Sequence, residues 1–298
     1  MEVISDFFQA IPYDQILIQT LNGIVTGMIL ALIASGLTLI FGIMDVVNFA
    51  HGELFMLGAY IGVVVLATSG SFWLALVLAT LVVAIIGAAL QITTLRPLIG
   101  RDPLTTILAT FGLSLVLQNY ALWQFGPVAR KIQEPITGQF TLFYLQYPWY
   151  RLLIAALSAA IIGGFWLYLK RGKFGVWIRA TAQDRVMAQA MGIPVPLVYT
   201  GVFAIGAAMA AASGVLFAPM VGVNHTMGLD WLLKAFIVVV VGGMGNFGGS
   251  IAAAIFISLI EAYSSIWLDP SRAVIVSFVV LILTLLFRPT GLFVATPR

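Results

Sequence analysis

Four polar or ionisable residues interrupt an apolar stretch near the start of the chain: Asp45, Asn48, His51 and Glu53. An amide, an imidazole and two carboxylates can donate to an anion and accept from a cation, so the set could hold or pass a small charged solute. Inside a bilayer each charge would cost about 2.5–3.5 kcal/mol or more unless it faces water, protein or a ligand. At a turn outside the membrane the same residues would cost little, and both alternatives stay open. On a helix, Asp45, Asn48 and His51 would share one face, because they are three residues apart.

A second interruption is rich in glycine. The apolar stretch Trp231–Ala262 is broken by the sequence GGMGNFGG, which covers Gly242–Gly249. Bare backbone is tolerated at membrane depth only where it is buried in protein or lines a cavity. Gly242, Gly243 and Gly245 therefore join the polar set as candidates for the wall of a pathway. The alternative is a loop, or glycines that let helices pack closely.

The third feature is a long basic segment, Lys170–Pro196. Its part Val176–Met191 combines helix-forming residues with an amphipathic spacing, which predicts one helix that ends at Gly192. Such a helix could lie on anionic lipid or dock in a groove on a cytoplasmic partner, and the pattern favours neither. Its apolar positions would be Ile178, Ala182, Met187 and Met191.

Several kinds of chemistry are excluded. The chain has no cysteine, which excludes disulfides and thiolate metal sites, and its two histidines are far apart, so no metal or other cofactor is expected. The dipeptide Gly172-Lys173 is followed by Phe174 rather than Ser or Thr, so there is no P-loop to hold ATP. No nucleophile–base pair is visible, and the sequence predicts that the chain is not an enzyme. The net charge of +3 is scattered and forms no basic face for nucleic acid.

The elements that must position these residues are membrane helices. Of the 298 residues, 61% are hydrophobic and 8% charged, whereas soluble domains have about 25% charged residues. We predict one all-α domain over residues 1–298, a polytopic membrane bundle of about eight spanning or half-spanning segments with discontinuous helices. The candidate spans besides Trp231–Ala262 are Ile16–Phe41, Leu54–Ala67, Phe72–Leu95, Leu104–Trp123, Leu152–Leu169, Leu197–Met220 and Ala273–Phe287.

Lys and Arg residues predict the orientation of the bundle. The acidic N-terminal tail is expected outside. The loop 170–196, with Lys170, Arg171, Lys173, Arg179 and Arg185, is expected in the cytoplasm, as are Arg96, Arg101 and the C-terminus. The stretch Trp231–Ala262 must then return to the side that it left. It could do so as two half-helices around a Gly-rich tip, or as two short tilted spans joined by a cytoplasmic tip.

Three segments together resemble one family. The segment GLTLIFGIMDVVNFAHGELFMLGAY (Gly36–Tyr60) resembles the signature of the LivH-type permeases of branched-chain amino acid ABC importers. Ala235–Ala262 resembles the second signature of that family, and LLFRPTGLF (Leu285–Phe293) matches its usual C-terminus. The resemblance covers nearly the whole chain. It implies a multi-pass permease subunit of the bacterial inner membrane that translocates branched-chain or related amino acids.

The resemblance also implies partners. Such a permease pairs with a homologous second permease in a heterodimer, two ABC ATPase subunits dock below, and a periplasmic solute-binding protein delivers the amino acid. Lys170–Pro196 then resembles the coupling segment that enters the ATPase groove. Where the broader importer pattern has Glu-Ala-Ala before the glycine, this chain has Val186-Met187-Ala188 after Arg185, so only Asp184 could take the acidic role. The coupling residues assigned in this way are Arg179, Asp184, Arg185, Ala188 and Gly192.

One mechanism would join these features, and three rivals remain. Asn48, His51 and the backbone near Gly242–Gly249 would be weak partners for a zwitterion, while Phe49 and Met44 would tolerate its apolar side chain. Close relatives that carry urea or short amides share the polar pattern. A self-sufficient secondary transporter would need more ionisable residues deep in its spans. An intramembrane enzyme would need a reactive pair of residues.

Overall fold

The computed structural model describes residues 13–142 and 145–294, which form helices and one short hairpin. Strands β1 (Gln139–Leu142) and β2 (Leu145–Pro148) pair antiparallel in that hairpin. A π-helical turn (Gln91–Leu95) and a 3-10 turn (Arg96–Leu98) follow the third helix. The helices are α1 (Tyr13–Met44), α2 (His51–Ser69), α3 (Phe72–Leu90), α4 (Pro103–Phe125), α5 (Trp149–Arg171), α6 (Lys173–Gln183), α7 (Arg185–Ala190), α8 (Val195–Val221), α9 (Met227–Gly242), α10 (Phe247–Ser264) and α11 (Pro270–Phe287).

Within the described ranges, seven segments are long and apolar enough to cross a bilayer, and they include α1 to α5, α8 and α10. The shorter apolar helix α11 corresponds to the last predicted span. The prediction of an all-α, polytopic bundle with discontinuous helices is confirmed. Helices α1 and α8 are the most deeply buried spans, so they form the centre of the bundle.

Helix α1 packs antiparallel against α10 along nearly its whole length. The neighbouring residues, from one end to the other, are Gly23 with Leu259, Gly27 with Ile255, Thr38 with Ser250 and Gly42 with Gly245. Because α10 runs beside α1 in this way, the turn before α10 lies at the end of the bundle where α1 stops. The apolar stretch Trp231–Ala262 therefore forms parts of two packed helices joined by a turn at that end of the bundle, and of these two only α10 is among the candidate spans.

The two ends of the bundle differ in charge. One end, here called the basic end, contains the end of α1, helices α6 and α7 and the α9–α10 turn. These parts are neighbours, because residues from the end of α1 and from α7 line one cavity, and residues from α6 and the start of α10 line another. The other end carries the hairpin and is called the hairpin end. Eight Lys and Arg residues lie at or next to the basic end: Arg96, Arg101, Lys170, Arg171, Lys173, Arg179, Arg185 and Arg288.

The basic segment is two helices, and the prediction of one helix over Val176–Met191 is wrong. Helix α6 ends before Asp184, whose backbone is extended and whose side chain accepts the backbone N–H groups of Val186 and Met187 at 2.8 and 2.9 Å. Aspartate competes with the helical hydrogen bonds in this way and starts a new helix instead of continuing the first. The break also changes which residues are buried. The pattern of one helix places Met187 and Met191 on its apolar face, but in the structure they are 60% and 77% exposed.

Candidate functional site

The chain turns back into the bundle where α1 ends. Asp45 has a positive φ of 55°, a backbone conformation that Asp tolerates better than most residues. Residues 45–50 are not helical. The side-chain oxygen of Asn48 accepts the N–H of Ala50 at 3.1 Å, and Thr110 of α4 accepts the N–H of Phe49 at 3.3 Å. We call residues 45–50 the re-entrant segment, since they lead from the basic end to the start of α2 inside the bundle.

Helix α2 begins at the depth of the middle of α1. The His51 Nε2 atom lies 3.2 Å from the carbonyl oxygen of Ile33, and Gly36 packs against the same imidazole ring. Ile33 lies 11 residues, or about three helical turns, before Met44. The start of α2 is therefore placed well inside the bundle, where the N–H of His51 donates to the carbonyl of Asn48 and those of Glu53 and Leu54 donate to the carbonyl of Ala50.

Glu53 completes this group. Its Oε1 atom accepts a hydrogen bond from Ser114 of α4 at 3.0 Å, and its Oε2 atom faces Gly228 at the start of α9. A methyl group at position 228 would lie only 2.5 Å from that oxygen, so the glycine makes room for the carboxylate. Asn48, His51 and Glu53 are each at most 1% exposed.

These three side chains have unused hydrogen-bonding capacity. Among the described residues, no partner is found for Asn48 Nδ2, His51 Nδ1 or Glu53 Oε2. Leaving a buried polar atom unsatisfied costs about 1–3 kcal/mol, so the three atoms in this short stretch make it the candidate binding site. A donor amide and a carboxylate oxygen are the groups that can bind the two ends of a zwitterion. We call Asn48, His51 and Glu53 the polar triad.

The structure separates Asp45 from the triad. Asp45 is exposed at the basic end, and because residues 45–50 are not helical, the three residues Asp45, Asn48 and His51 do not share a helical face. Sequence reasoning missed Thr110, Ser114 and Gly228. A signal was present for two of these, because Thr106, Thr110 and Ser114 recur every four residues and form one buried face of α4.

The predicted glycines lie elsewhere. Gly245 packs on Gly42 at the end of α1, and Gly242 packs on Gly249 across the α9–α10 turn. The N–H of Leu292 donates to the carbonyl of Val241 at 2.8 Å, which attaches the C-terminal segment to the same turn. The atoms nearest to these glycines belong to the α9–α10 turn, the start of α10, the C-terminal segment and the end of α1, and not to the triad. That Gly242, Gly243 and Gly245 line a pathway stays a prediction.

The predicted coupling residues surround α7. Asp184 is the N-cap described above, Ala188 is buried, and Gly192 has a φ of 81° directly after the helix. Arg179 of α6 donates to the carbonyl of Leu169 at 2.6 Å. The outward face of α7 is apolar and exposed, with Val186 at 76% and Met187 at 60%. The segment therefore presents a short, capped helix to the surroundings of the basic end.

A separate polar cluster ties α1 to its neighbours at the hairpin end. The Tyr147 hydroxyl donates to the side-chain oxygen of Asn22 at 3.2 Å, and Arg151 donates to the same oxygen. Burial raises the pKa of Tyr147 above its ordinary value, so the hydroxyl stays protonated and remains a donor. Lys234 of α9 and Glu261 of α10 form an ion pair. These contacts join the hairpin and α5 to α1, and α9 to α10.

Comparison with known proteins identifies the family. The model of a family described as the permease component of branched-chain amino acid transport systems matches residues 19–285. The chain belongs to this permease family. The LivH permease protein of the high-affinity branched-chain amino acid transport system of Escherichia coli K12 is 32% identical, over 92% of this chain and 94% of its own. The corresponding BraD protein of Pseudomonas aeruginosa is 30% identical over the same shares, and a probable LivH of Methanocaldococcus jannaschii is 26% identical over 91% and 90%.

The family assignment confirms the resemblance drawn from the three sequence segments. The permease is a transport protein and a component of a larger transport system. Its seven candidate spans agree with a multi-pass location in the inner membrane. The match covers both the re-entrant segment and the α9–α10 turn, so the triad lies within the part of the chain that defines the family.

Proposed function

We propose that the permease translocates branched-chain or closely related amino acids as one membrane subunit of an ABC importer, and that the polar triad contacts the substrate. The triad is the observation that carries this proposal. The substrate carboxylate would accept from Asn48 Nδ2 next to the start of α2, while the ammonium would donate to Glu53 Oε2. Helix N-termini favour anions in this way.

The apolar surroundings suit an aliphatic side chain. Phe49 lies beside the triad and packs edge-on against Phe111 of α4, with ring centroids 6.1 Å apart. Only a few polar contacts are offered, which suits transport because a substrate that is bound weakly can also be released. The triad is buried in this structure, so the substrate would reach it when neighbouring helices move apart.

The distribution of charge supports the orientation. Positive residues in short loops favour the cytoplasmic side. Against the eight Lys and Arg residues of the basic end, the hairpin end has four: Arg130, Lys131, Arg151 and Arg272. We propose that the basic end is cytoplasmic and meets the two ABC ATPase subunits. The hairpin end would then face the solute-binding protein, and a second, homologous permease would complete a heterodimer.

The composition of the complex tests the function directly. Affinity purification of the tagged permease from its native membrane should recover two ATPase subunits and a homologous permease. That complex, reconstituted in vesicles with the binding protein, should accumulate labelled leucine, isoleucine or valine only when ATP is hydrolysed. Accumulation by the permease alone, or uptake of urea or short amides in preference to these amino acids, would contradict the proposal.

A pair of substitutions tests how Asp184 contributes to coupling. Asp184→Ala removes the N-cap of α7, and loss of such a cap costs about 1 kcal/mol. Asp184→Asn removes the charge but keeps an oxygen that can accept from Val186 and Met187. We expect the alanine variant to lose much of its ATPase stimulation by loaded binding protein, and the asparagine variant to stay near the wild type. Equal losses in both variants would show that the charge, not the cap, is what the coupling needs.

A further inference from the structure

Helix α7 has two sides with different surroundings. Val186 and Met187 face outward and are exposed. Arg185, the first residue of the helix, lines a cavity of about 350 Å³ inside the basic end. Its guanidinium lies beside the hydroxyl of Tyr199 of α8, which is 5% exposed. Arg185 is itself exposed, and its guanidinium extends from α7 along the cavity toward Tyr199 of α8.

The cavity separates α7 from the re-entrant segment. Phe41 and Met44 of α1 form one wall, and residues 45–47 of the re-entrant segment form the next. The connection before α4 and the start of α4 close the remaining side, including Arg101. One cavity is therefore lined both by Arg185 of α7 and by the segment that leads to the polar triad.

The charges around this cavity are opposite and not in contact. Asp45 contributes a carboxylate, while Arg101 and Arg185 contribute guanidinium groups. The ion pairs found among the described residues join Lys234 to Glu261 and Arg272 to Asp269, so Asp45 takes part in neither. Opposite charges that face an unfilled space attract each other, and the attraction grows as the space closes.

Two hydrogen bonds join the re-entrant segment to Thr110 of α4. Thr110 accepts from Phe49 at 3.3 Å and donates to the carbonyl of Val47 at 3.4 Å, which are long hydrogen bonds. The segment's other hydrogen bonds are local: the N–H of Asp45 donates to the carbonyl of Phe41 at 2.9 Å, and Asn48 accepts from Ala50 and His51. A pull on Asp45 would therefore be transmitted along a short stretch of chain to Asn48 and His51.

We infer that Arg185 is a positioning residue that links the position of α7 to the polar triad by forming an ion pair with Asp45 when the cavity closes. Movement of α7 by an ATPase partner would bring the guanidinium to the carboxylate and shift the re-entrant segment. The inference rests on the proposed function, because it assigns a role in coupling to residues of the same permease.

The absence of native cysteine makes crosslinking a clean test. In the assembled complex, the variant Asp45→Cys with Arg185→Cys should form an intrachain disulfide about tenfold faster in the ATP- and vanadate-trapped complex than without nucleotide, within the usual range of allosteric coupling. The matched control, Asp45→Cys with Arg171→Cys, uses an exposed cation at the end of α5 and should show no such difference. Equal rates in both nucleotide states for the first pair would overturn the inference.

Charge exchange gives an independent measurement. Asp45→Asn and Arg185→Gln should each lower binding-protein-stimulated ATPase activity by about tenfold, and their combination should lower it no further, because both remove one interaction. The exchange Asp45→Arg with Arg185→Asp should restore much of the stimulation. Additive losses, or rescue by exchange with Arg101 instead of Arg185, would overturn the assignment.

These readouts separate the two proposals. Crosslinking and ATPase stimulation report coupling whatever the solute. If the complex imports a different solute but the disulfide still depends on nucleotide, the substrate proposal fails and the inference stands. If leucine is imported and the disulfide does not depend on nucleotide, the inference fails alone.

Discussion

Glu53→Gln is expected to lower leucine uptake by about 10- to 100-fold without loss of the folded complex. The amide keeps the size of the side chain and an oxygen that can accept from Ser114, but it removes the negative charge that would meet the substrate ammonium. A hydrogen bond to a charged group contributes about 1.5–3 kcal/mol, which corresponds to this range of affinity. Uptake of labelled leucine by vesicles that contain equal amounts of complex is the measurement.

Two controls separate binding from structure. Ser114→Ala removes a neutral partner of Glu53, so it should cost less than the loss of the charge. The elution volume and thermal unfolding of the Glu53→Gln complex should match those of the wild type. If uptake by Glu53→Gln equals that of the wild type, Glu53 does not bind the ammonium. If the Glu53→Gln complex loses leucine uptake but takes up a neutral amide as the wild type does, the result supports the proposed contact between Glu53 and the ammonium.

Gly52→Ala is expected to prevent most of the permease from folding. Gly52 lies where α2 crosses the start of α9, and an added Cβ atom would lie 2.1 Å from the backbone oxygen of Gly228. Backbone cannot rotate away as a flexible side chain can, so the two helices would have to separate. Overpacking typically costs about 1–3 kcal/mol and occasionally more, and we expect the upper end here because backbone has to move. The measurement is the amount of folded permease in membranes and its unfolding temperature in detergent.

Gly163→Ala is the matched control. Gly163 lies inside α5, and an added Cβ atom there would meet no atom within 4 Å. Alanine favours helix over glycine by up to about 1 kcal/mol, so this variant should be as stable as the wild type or slightly more stable. Gly228→Ala should be intermediate, because its new methyl would mainly displace the Glu53 carboxylate. A Gly52→Ala permease with the yield and unfolding temperature of Gly163→Ala would contradict the close contact.

The spans could be predicted from the sequence because a long apolar stretch in lipid can satisfy all of its backbone hydrogen bonds by forming an α-helix. All of the predicted spans are helical, and the Gly-rich break is the turn between α9 and α10. The split at Asp184 was missed because the amphipathic pattern across Val176–Met191 is compatible with one helix. Only the hydrogen bonds that the Asp184 side chain accepts from the N–H groups of Val186 and Met187 show that there are two helices.

The candidate site could be predicted only in part. Asn48, His51 and Glu53 stand out because polar residues are rare in this chain, but their depth depends on contacts with Ile33 and Ser114, which are far away in sequence. Asp45 is also polar, yet its side chain is exposed at the basic end. Its positive φ marks the turn at which the chain reverses. Residue type therefore identified the group, and long-range packing decided which members are buried.

The pairing of α1 with α10 has a consequence for biogenesis. Thr38 and Ser250 are 212 residues apart in the chain, and Gln19 and Ser265, which also share a hydrogen bond, are 246 residues apart. At about 5–20 residues per second, a ribosome would need roughly 10–40 s to make the second partner of the first pair. During that time the first helix has to reside in lipid, or beside the insertion machinery, with its small-residue face uncovered. The newborn chain is therefore most vulnerable to quality-control proteases until its final third has been inserted.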